Sequence, residues 1–297
     1  MIVSPTSWLQ RLRAAFTAST QLLAPHSAAC LICGKTQPAA RSADNPNHPK
    51  LPAGLRNSVC GACLSAIPWL TRIQCPKCGR GIRCDDCVRS PHRSFVCNRS
   101  AVQYDPMMRA LLAQYKYRGN EQLEPLLGAM LLPAFELLTS EIAYRSSKPA
   151  KPDSRRKIPF RQYWDAIVYV PISRERARDR GFNQAEQLAA HIAQRYDIPL
   201  LDLLVRARHT EKQSFKTRSE RLKDTRQLFE INPMELHRLH KDRLAGPNHP
   251  DGSRGRYRIL LIDDIYTTGS TSEACSRTLL QQSELPFEIY VLTWARS

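Results

Sequence analysis

Acidic residues are scarce in this chain of 297 residues: 27 Asp+Glu stand against 44 Lys+Arg, a formal net charge of +17. That imbalance raises the local concentration of anions and favours polyanionic partners. Long apolar runs are also missing. None approaches the roughly 18 residues of a membrane span, so no transmembrane segment is expected. No internal repeat is visible beyond the cysteine pairs. A clean secretory leader is lacking too, because Arg11 and Arg13 interrupt the apolar residues Trp8, Leu9, Leu12 and Phe16. Those four recur at helical spacing, so residues 1–24 read as an amphipathic helix or tail. Disorder of the whole chain is excluded by a 42% hydrophobic content that recurs to the last residue. At roughly 150 residues per domain, the length allows about two domains.

Cysteine is confined. Eight of the ten cysteines form four Cys-x-x-Cys pairs, Cys30/Cys33, Cys60/Cys63, Cys75/Cys78 and Cys84/Cys87. A secreted disulfide scaffold would be a shorter chain with its cysteines spread along it. The clustering reads instead as metal binding in a reducing cytoplasm. Two such pairs supply four thiolates, a closed tetrahedral zinc site. Glycine follows the second cysteine in Cys33-Gly34 and Cys78-Gly79, as a tight knuckle needs. The expected pairing puts Cys30, Cys33, Cys60 and Cys63 on one ion and Cys75, Cys78, Cys84 and Cys87 on another. An interleaved pairing, a single ion and an iron–sulfur cluster are the competing arrangements. Cys97 and His92 read as packing or surface residues, and Cys275 as a buried thiol on a helix stripe.

Between loop-like stretches the pattern is α/β. Ala166–Val170 and Ile259–Ile262 are continuous apolar runs of strand length, and Phe287–Trp294 is rich in β-branched and aromatic residues. Strands apolar on both faces suit a buried parallel sheet. Ala185, Leu188, Ala189 and Ile192 form a helical stripe with Asn183 and Glu186 at its cap. Ala274, Cys275, Thr278 and Leu279 form another, with Ser270 and Glu273 at capping-box spacing. Thr36–Arg56, Ser146–Lys157 and His237–Arg256 read as polar loops.

The sharpest feature is Ile259-Leu-Leu-Ile-Asp-Asp-Ile-Tyr-Thr-Thr-Gly-Ser-Thr271 ahead of a helix. A buried strand delivers Asp263 and Asp264 to its carboxyl end, where open α/β sheets bind ligands. Thr267, Thr268, Gly269, Ser270 and Thr271 then offer hydroxyls and closely spaced N–H groups at a helix start, which favours an anion. Gly269 allows close backbone approach. Two carboxylates beside a phosphate cradle suit a ribose 5-phosphate. The lysine and glycine spacing of a Walker A loop is absent.

This segment resembles the phosphoribosyl-pyrophosphate (PRPP) motif of the type I phosphoribosyltransferases, and the match narrows to the ComF family, competence-associated proteins with an N-terminal double zinc ribbon. Three further segments carry the resemblance: Leu112–Asn120, Val170-Pro171 with Arg180–Glu186, and Thr210, Gln213, Glu220, Arg221 and Phe229. Lys216, Asp224, Gln227 and Asn120 depart from the usual pattern. The resemblance implies a zinc ribbon domain over 25–92 and a phosphoribosyltransferase fold, a mainly parallel sheet flanked by helices, over 93–297. Insertions would fall at 146–157 and 237–256. It also implies that Asp263 and Asp264 hold the ribose hydroxyls and that Thr267–Thr271 cradle the 5′-phosphate. Ser173, Arg174 and Lys116 would meet the pyrophosphate, with magnesium accompanying PRPP.

Basic residues gather where a polyanion would bind: Arg174, Arg176, Arg178 and Arg180, then eight between Arg206 and Arg226. Few aromatics accompany them, which argues against a base-stacking platform. Two functions are therefore expected. One is a cytoplasmic PRPP-binding, phosphoribosyltransferase-like protein supporting DNA uptake or the use of external DNA. The other is a non-catalytic adaptor that uses the fold as a scaffold, holds single-stranded DNA and docks a competence helicase through its zinc ribbon.

Overall fold

The computed structural model describes residues 29–36, 49, 51–89, 91–117, 120–146, 158–207, 228–252 and 255–297. The expected N-terminal helix, most of the expected 146–157 loop and the basic run from Arg208 to Arg226 lie outside the described residues. The described residues form two compact units. The smaller comprises 29–36 with Ala53–Ala66, and the larger comprises Ile67–Ser297 with the residues around Leu51.

In the smaller unit a knuckle closes by Gly34 N–H to Cys30 O (2.8 Å), and Gly34 takes the left-handed φ of +73°. Leu31 N–H to Ser58 O (2.9 Å) ties it to a segment carrying two short helices, α1 (Ala53–Arg56) and α2 (Gly61–Ala66).

The larger unit opens with a matching knuckle, Gly79 N–H to Cys75 O (3.0 Å), and a short helix α3 (Asp85–Arg89). Then follow β1 (Asn98–Gln103), α4 (Pro106–Tyr117), α5 (Glu124–Ser146), β2 (Ala166–Tyr169), α6 (Arg174–Arg180), α7 (Gln184–Tyr196) and β3 (Leu200–Leu201). The chain continues through β4 (Leu204–Arg206), β5 (Phe229–Ile231), α8 (Pro233–Ala245), β6 (Tyr257–Tyr266), α9 (Ser270–Gln281) and β7 (Phe287–Arg296). Five strands form one sheet in the order β1-β7-β6-β2-β3, every pair parallel. The strands β4 and β5 make a separate antiparallel ribbon. The expected α/β architecture of a parallel sheet flanked by helices is therefore present.

Alternation along β6 assigns the faces. Tyr257, Ile259 and Leu261 enter a core with Cys275, Leu279, Val291 and the cysteines Cys75, Cys78 and Cys84. The intervening residues point to the opposite face, against which α5 and α7 pack. The second cysteine cluster is thus part of the core of the larger unit.

Three sequence expectations need correction. Glu124–Arg145 is long and apolar enough to cross a membrane, with a mean hydropathy of 1.5. Glu136 and Glu141 break its apolar run, which hid it. In the fold 72% of its apolar window is buried, as in a core helix. The polar stretch from His237 is helical to Ala245: Asn232 caps it, Pro233 occupies the first turn, and Leu236 and Leu239 lie against the core. The Ser270/Glu273 capping box does not form, because Glu273 is engaged by Ser94 and the cap position is Gly269. The two stripe helices and Asn183, which accepts Ala185 N–H at 3.1 Å, match the expectation.

Candidate functional site

Parallel strands put their carboxyl ends on one edge, and there a cleft of about 690 Å³ opens. Its lining includes Asp263, Asp264, Ser270 and Thr271 from β6 and α9, Lys116 from α4, Arg176 from α6 and Arg206 from β4. The strand runs further than its apolar core suggested: Asp263 pairs with Thr293 and Tyr266 with Arg296, so both carboxylates sit inside the ladder. Lys116 Nζ contacts Asp264 Oδ2, and Asp264 N–H donates to Asp263 Oδ1 at 2.9 Å. Burial, reinforced by the Asp264 charge, pushes the Asp263 carboxyl up to about 8, against the downward pull of the Asp264 N–H and Lys116. A carboxyl held toward its neutral form can donate to a vicinal hydroxyl as well as accept from one, and the upward shift of Asp263 gives the doublet that capacity.

The turn after β6 is tightly built. Gly269 has φ +79°, and a Cβ there would run into the Tyr266 phenol ring. The sequence alone assigned this glycine to ligand approach; its own backbone and Tyr266 already require it. Thr268 Oγ1 accepts Ser270 N–H at 3.4 Å. Ser270 and Thr271 are exposed into the cleft, whereas Thr267 and Thr268 are exposed beside it.

The loop after β2 distributes its residues differently from the expectation. Ser173 Oγ caps α6 by accepting Arg176 N–H at 3.3 Å, and Arg174 is exposed away from the lining. Arg176 and Arg180, further along the same helix, face the cleft instead. Arg180 bonds Gln184 at 2.7 Å, and Phe182 packs on Tyr115 at 5.2 Å, next to Lys116. Burial, then the Arg176 charge, lowers the Arg206 guanidinium from its usual value. Two cations are therefore held close enough to repel, an arrangement that an anion relieves.

Sequence reasoning gave Glu273 only a capping role and missed Arg277, Ser94 and Arg296. Burial would raise the Glu273 carboxyl, but the Ser94 N–H (2.9 Å), the Ser94 hydroxyl (2.8 Å) and Arg277 outweigh it and hold it low. The spacing of Glu273 and Arg277 was a readable i,i+4 pair. Arg296 was readable as a lone charge ending an apolar strand.

The two cysteine clusters are as paired in the sequence: Cys30, Cys33, Cys60 and Cys63, and Cys75, Cys78, Cys84 and Cys87, each with all sulfurs within 4.8 Å of one another. Cys33 and Cys60 sulfurs stand 3.9 Å apart. Zn–S bonds of ~2.3 Å give a tetrahedron edge of about 3.8 Å, so the donor set fits one ion per cluster. All ten cysteines are free thiols. Burial opposes ionisation of Cys30, yet N–H groups of Cys60, Cys33 and Ile32 bring it down to about 7, which suits a metal-binding thiolate. Cys97 is buried outside both clusters, and His92 is exposed.

No family model matches the chain. Curated relatives do. Competence protein ComFC of Bacillus subtilis is 31% identical over 235 residues, 76% of this chain and 79% of that protein. The protein of the same name from Streptococcus pneumoniae is 27% identical over 257 residues, 84% of this chain and 92% of its own. DNA utilization protein YhgH of Escherichia coli K12 is 23% identical over 246 residues, 79% of this chain and 89% of its own. A parallel α/β protein with two four-cysteine clusters and an acidic doublet at the sheet edge is thus the class defined here. Within it, the chain belongs to the ComF family.

Proposed function

We propose that the cleft binds PRPP and that the protein acts, as a phosphoribosyltransferase-like member of its family, in handling DNA taken up by the cell. The observation that carries this is the half-buried Asp263–Asp264 doublet, with Lys116 on one side and the hydroxyl-lined turn on the other, inside one cleft. On this reading Asp263 and Asp264 hold the ribose 2′ and 3′ hydroxyls. The hydroxyls of Thr267, Thr268, Ser270 and Thr271 and the backbone at Gly269 take the 5′-phosphate. The pyrophosphate role moves from Ser173 and Arg174 to Arg176, Arg180 and Arg206, which face the cleft. Magnesium bound with the pyrophosphate would neutralise part of its charge beside these arginines. Lys116, bound to Asp264, serves the sugar side.

The same arrangement suits substitution at ribose C1. The C1–oxygen bond to pyrophosphate breaks, its electron pair leaves with pyrophosphate toward the arginines, and an acceptor attacks a carbon of oxocarbenium character. Rate enhancement then rests on positioning and electrostatics. The names of the relatives, competence and DNA utilization, support a role in DNA uptake. On the same reading the protein works in the cytoplasm, and its cysteine ribbons offer a partner such as a helicase a docking surface. The paired cations Arg176 and Arg206 and the net +17 support direct contact with single-stranded DNA as a second property.

Calorimetry with PRPP and magnesium tests both. The unsubstituted chain binds, and Asp263→Ala with Asp264→Ala lowers affinity at least about a hundredfold, the loss expected when charged hydrogen bonds to hydroxyls are removed. DNA affinity in that variant is unchanged or raised, and falls steeply with salt. Absence of PRPP binding by the unsubstituted chain overturns the first reading and leaves the DNA-binding adaptor.

A further inference from the structure

Arg296 is 3% exposed at the end of β7. Its Nη1 donates to Tyr266 O at 3.1 Å and Thr267 O at 2.9 Å, and its Nη2 reaches Cys78 Sγ at 3.8 Å. The guanidinium also lies 4.8 Å from the centre of the Tyr266 ring. One side chain thus touches a metal-cluster sulfur and two carbonyls of the turn that follows the acidic doublet. The chain after Cys87 adds more ties to the same turn and its helix. Arg93 Nη2 donates to Thr268 O at 3.5 Å, Ser94 holds Glu273, and Phe95 stands edge-on to Tyr266 at 6.3 Å. Gly269 in turn abuts Tyr266.

Peptide geometry gives these contacts a direction. In a trans peptide the C=O of one residue and the N–H of the next point opposite ways. Holding the carbonyls of Tyr266, Thr267 and Thr268 toward Arg296 and Arg93 turns the N–H groups of Thr267, Thr268 and Gly269 away from them. Consecutive N–H groups aimed to one side make an anion-binding concavity.

We propose that the metal-loaded cluster of Cys75, Cys78, Cys84 and Cys87 is the base on which the phosphate-binding turn is set, with Arg296 as the positioning residue between them. This rests on the sugar-phosphate reading above. Metal occupancy of this cluster and phosphate binding are then linked, and linkage is reciprocal: PRPP holds the metal in, and the metal strengthens PRPP binding. The cluster of Cys30, Cys33, Cys60 and Cys63 has no part in it.

The test uses the full chain with zinc. In a chain carrying Cys30→Ser and Cys33→Ser, which keeps the second cluster alone, a chromogenic chelator reports the rate of zinc release. Saturating PRPP slows that release about tenfold, and Arg296→Gln abolishes the protection while still holding one zinc. Arg296→Gln also binds PRPP about tenfold to a hundredfold more weakly, the range for a residue orienting a site from behind. Arg296→Lys, which restores the cation without the fork, recovers part of that loss. PRPP binding that leaves zinc release unchanged, or is as tight in Arg296→Gln, overturns the coupling alone. No PRPP binding by the unsubstituted chain overturns the sugar-phosphate reading and the coupling with it. Should Arg296→Gln fail to fold, the protection measured with Arg296 in place decides the matter.

Discussion

On the proposed function, Asp263 carries the sharpest conflict between stability and ligand binding at the scale of single residues. Its carboxyl titrates near 8 in the fold, because burial and then Asp264 disfavour its charge. An unfolded chain titrates it near ~3.9. The native state therefore holds this proton more tightly, and its contribution to stability falls as pH rises from about 4 to about 8. Above that the penalty is constant. Asp263→Asn removes the titration, so its thermal midpoint rises relative to the unsubstituted chain at pH 8 and rises much less at pH 5, while PRPP affinity drops. Equal differences at the two pH values would refute the assignment. The Lys116 ammonium lies against the neighbouring Asp264 carboxylate, and both side chains are largely covered.

Elements divide by which end of the sheet they serve. The carboxyl ends carry the cleft, and the amino ends carry a buried ion network. There Asp165 meets Arg243 at 3.0 Å, His249 at 3.0 Å and the Arg258 N–H at 2.6 Å. Arg258, 3% exposed at its side chain, meets Asp251 at 2.9 Å and Glu288 at 3.0 Å. This network ties α8 and the segment after it to the starts of β2, β6 and β7. Asp165→Ala leaves Arg243 uncompensated and costs about 3 kcal/mol, read from denaturant unfolding. PRPP affinity of the folded variant stays within about twofold, since the loss lies at the other end of the strands. A large affinity loss would show that the two ends are coupled.

The same division explains what the sequence disclosed. The apolar strands β2, β6 and β7, the stripes of α7 and α9, and the cysteine pairing were legible because each is a local pattern of spacing. The strand β1 was not, because its residues Asn98, Arg99 and Ser100 are polar yet buried. They are satisfied by distant partners: Asn98 by Cys78 O at 3.0 Å, Arg99 by Glu141 at 2.9 Å, Ser100 by Thr293 at 2.6 Å. Helix α8 was hidden by its charges, most of which face solvent while Arg243 turns to Asp165 and Leu236 and Leu239 do the packing. In the site, the acidic doublet and the hydroxyls were legible. That Ser173 would be consumed as a cap, or that Arg296 would reach Cys78, depends on contacts between residues far apart in sequence.

The two units of the whole molecule depend on metal to different degrees. Among the described residues of the smaller unit, the buried apolar side chains are Val59 and three cysteines. A unit whose interior is its own ligand set has little apolar burial to offset chain entropy, so metal binding supplies its folding free energy. In the larger unit Cys75, Cys78 and Cys84 sit among Phe95, Val168, Ile259, Leu261, Leu279 and Val291, and the parallel sheet has a core of its own. Two zinc ions per chain are therefore expected, with unequal consequences of removal. Chelation should abolish amide-exchange protection in 29–36 and 53–66 while β6 and β7 stay protected. The larger unit should remain folded with a lowered thermal midpoint, because its cluster packs in the core without being the whole of it. Simultaneous loss of protection in both regions would mean that the sheet also needs the metal to fold.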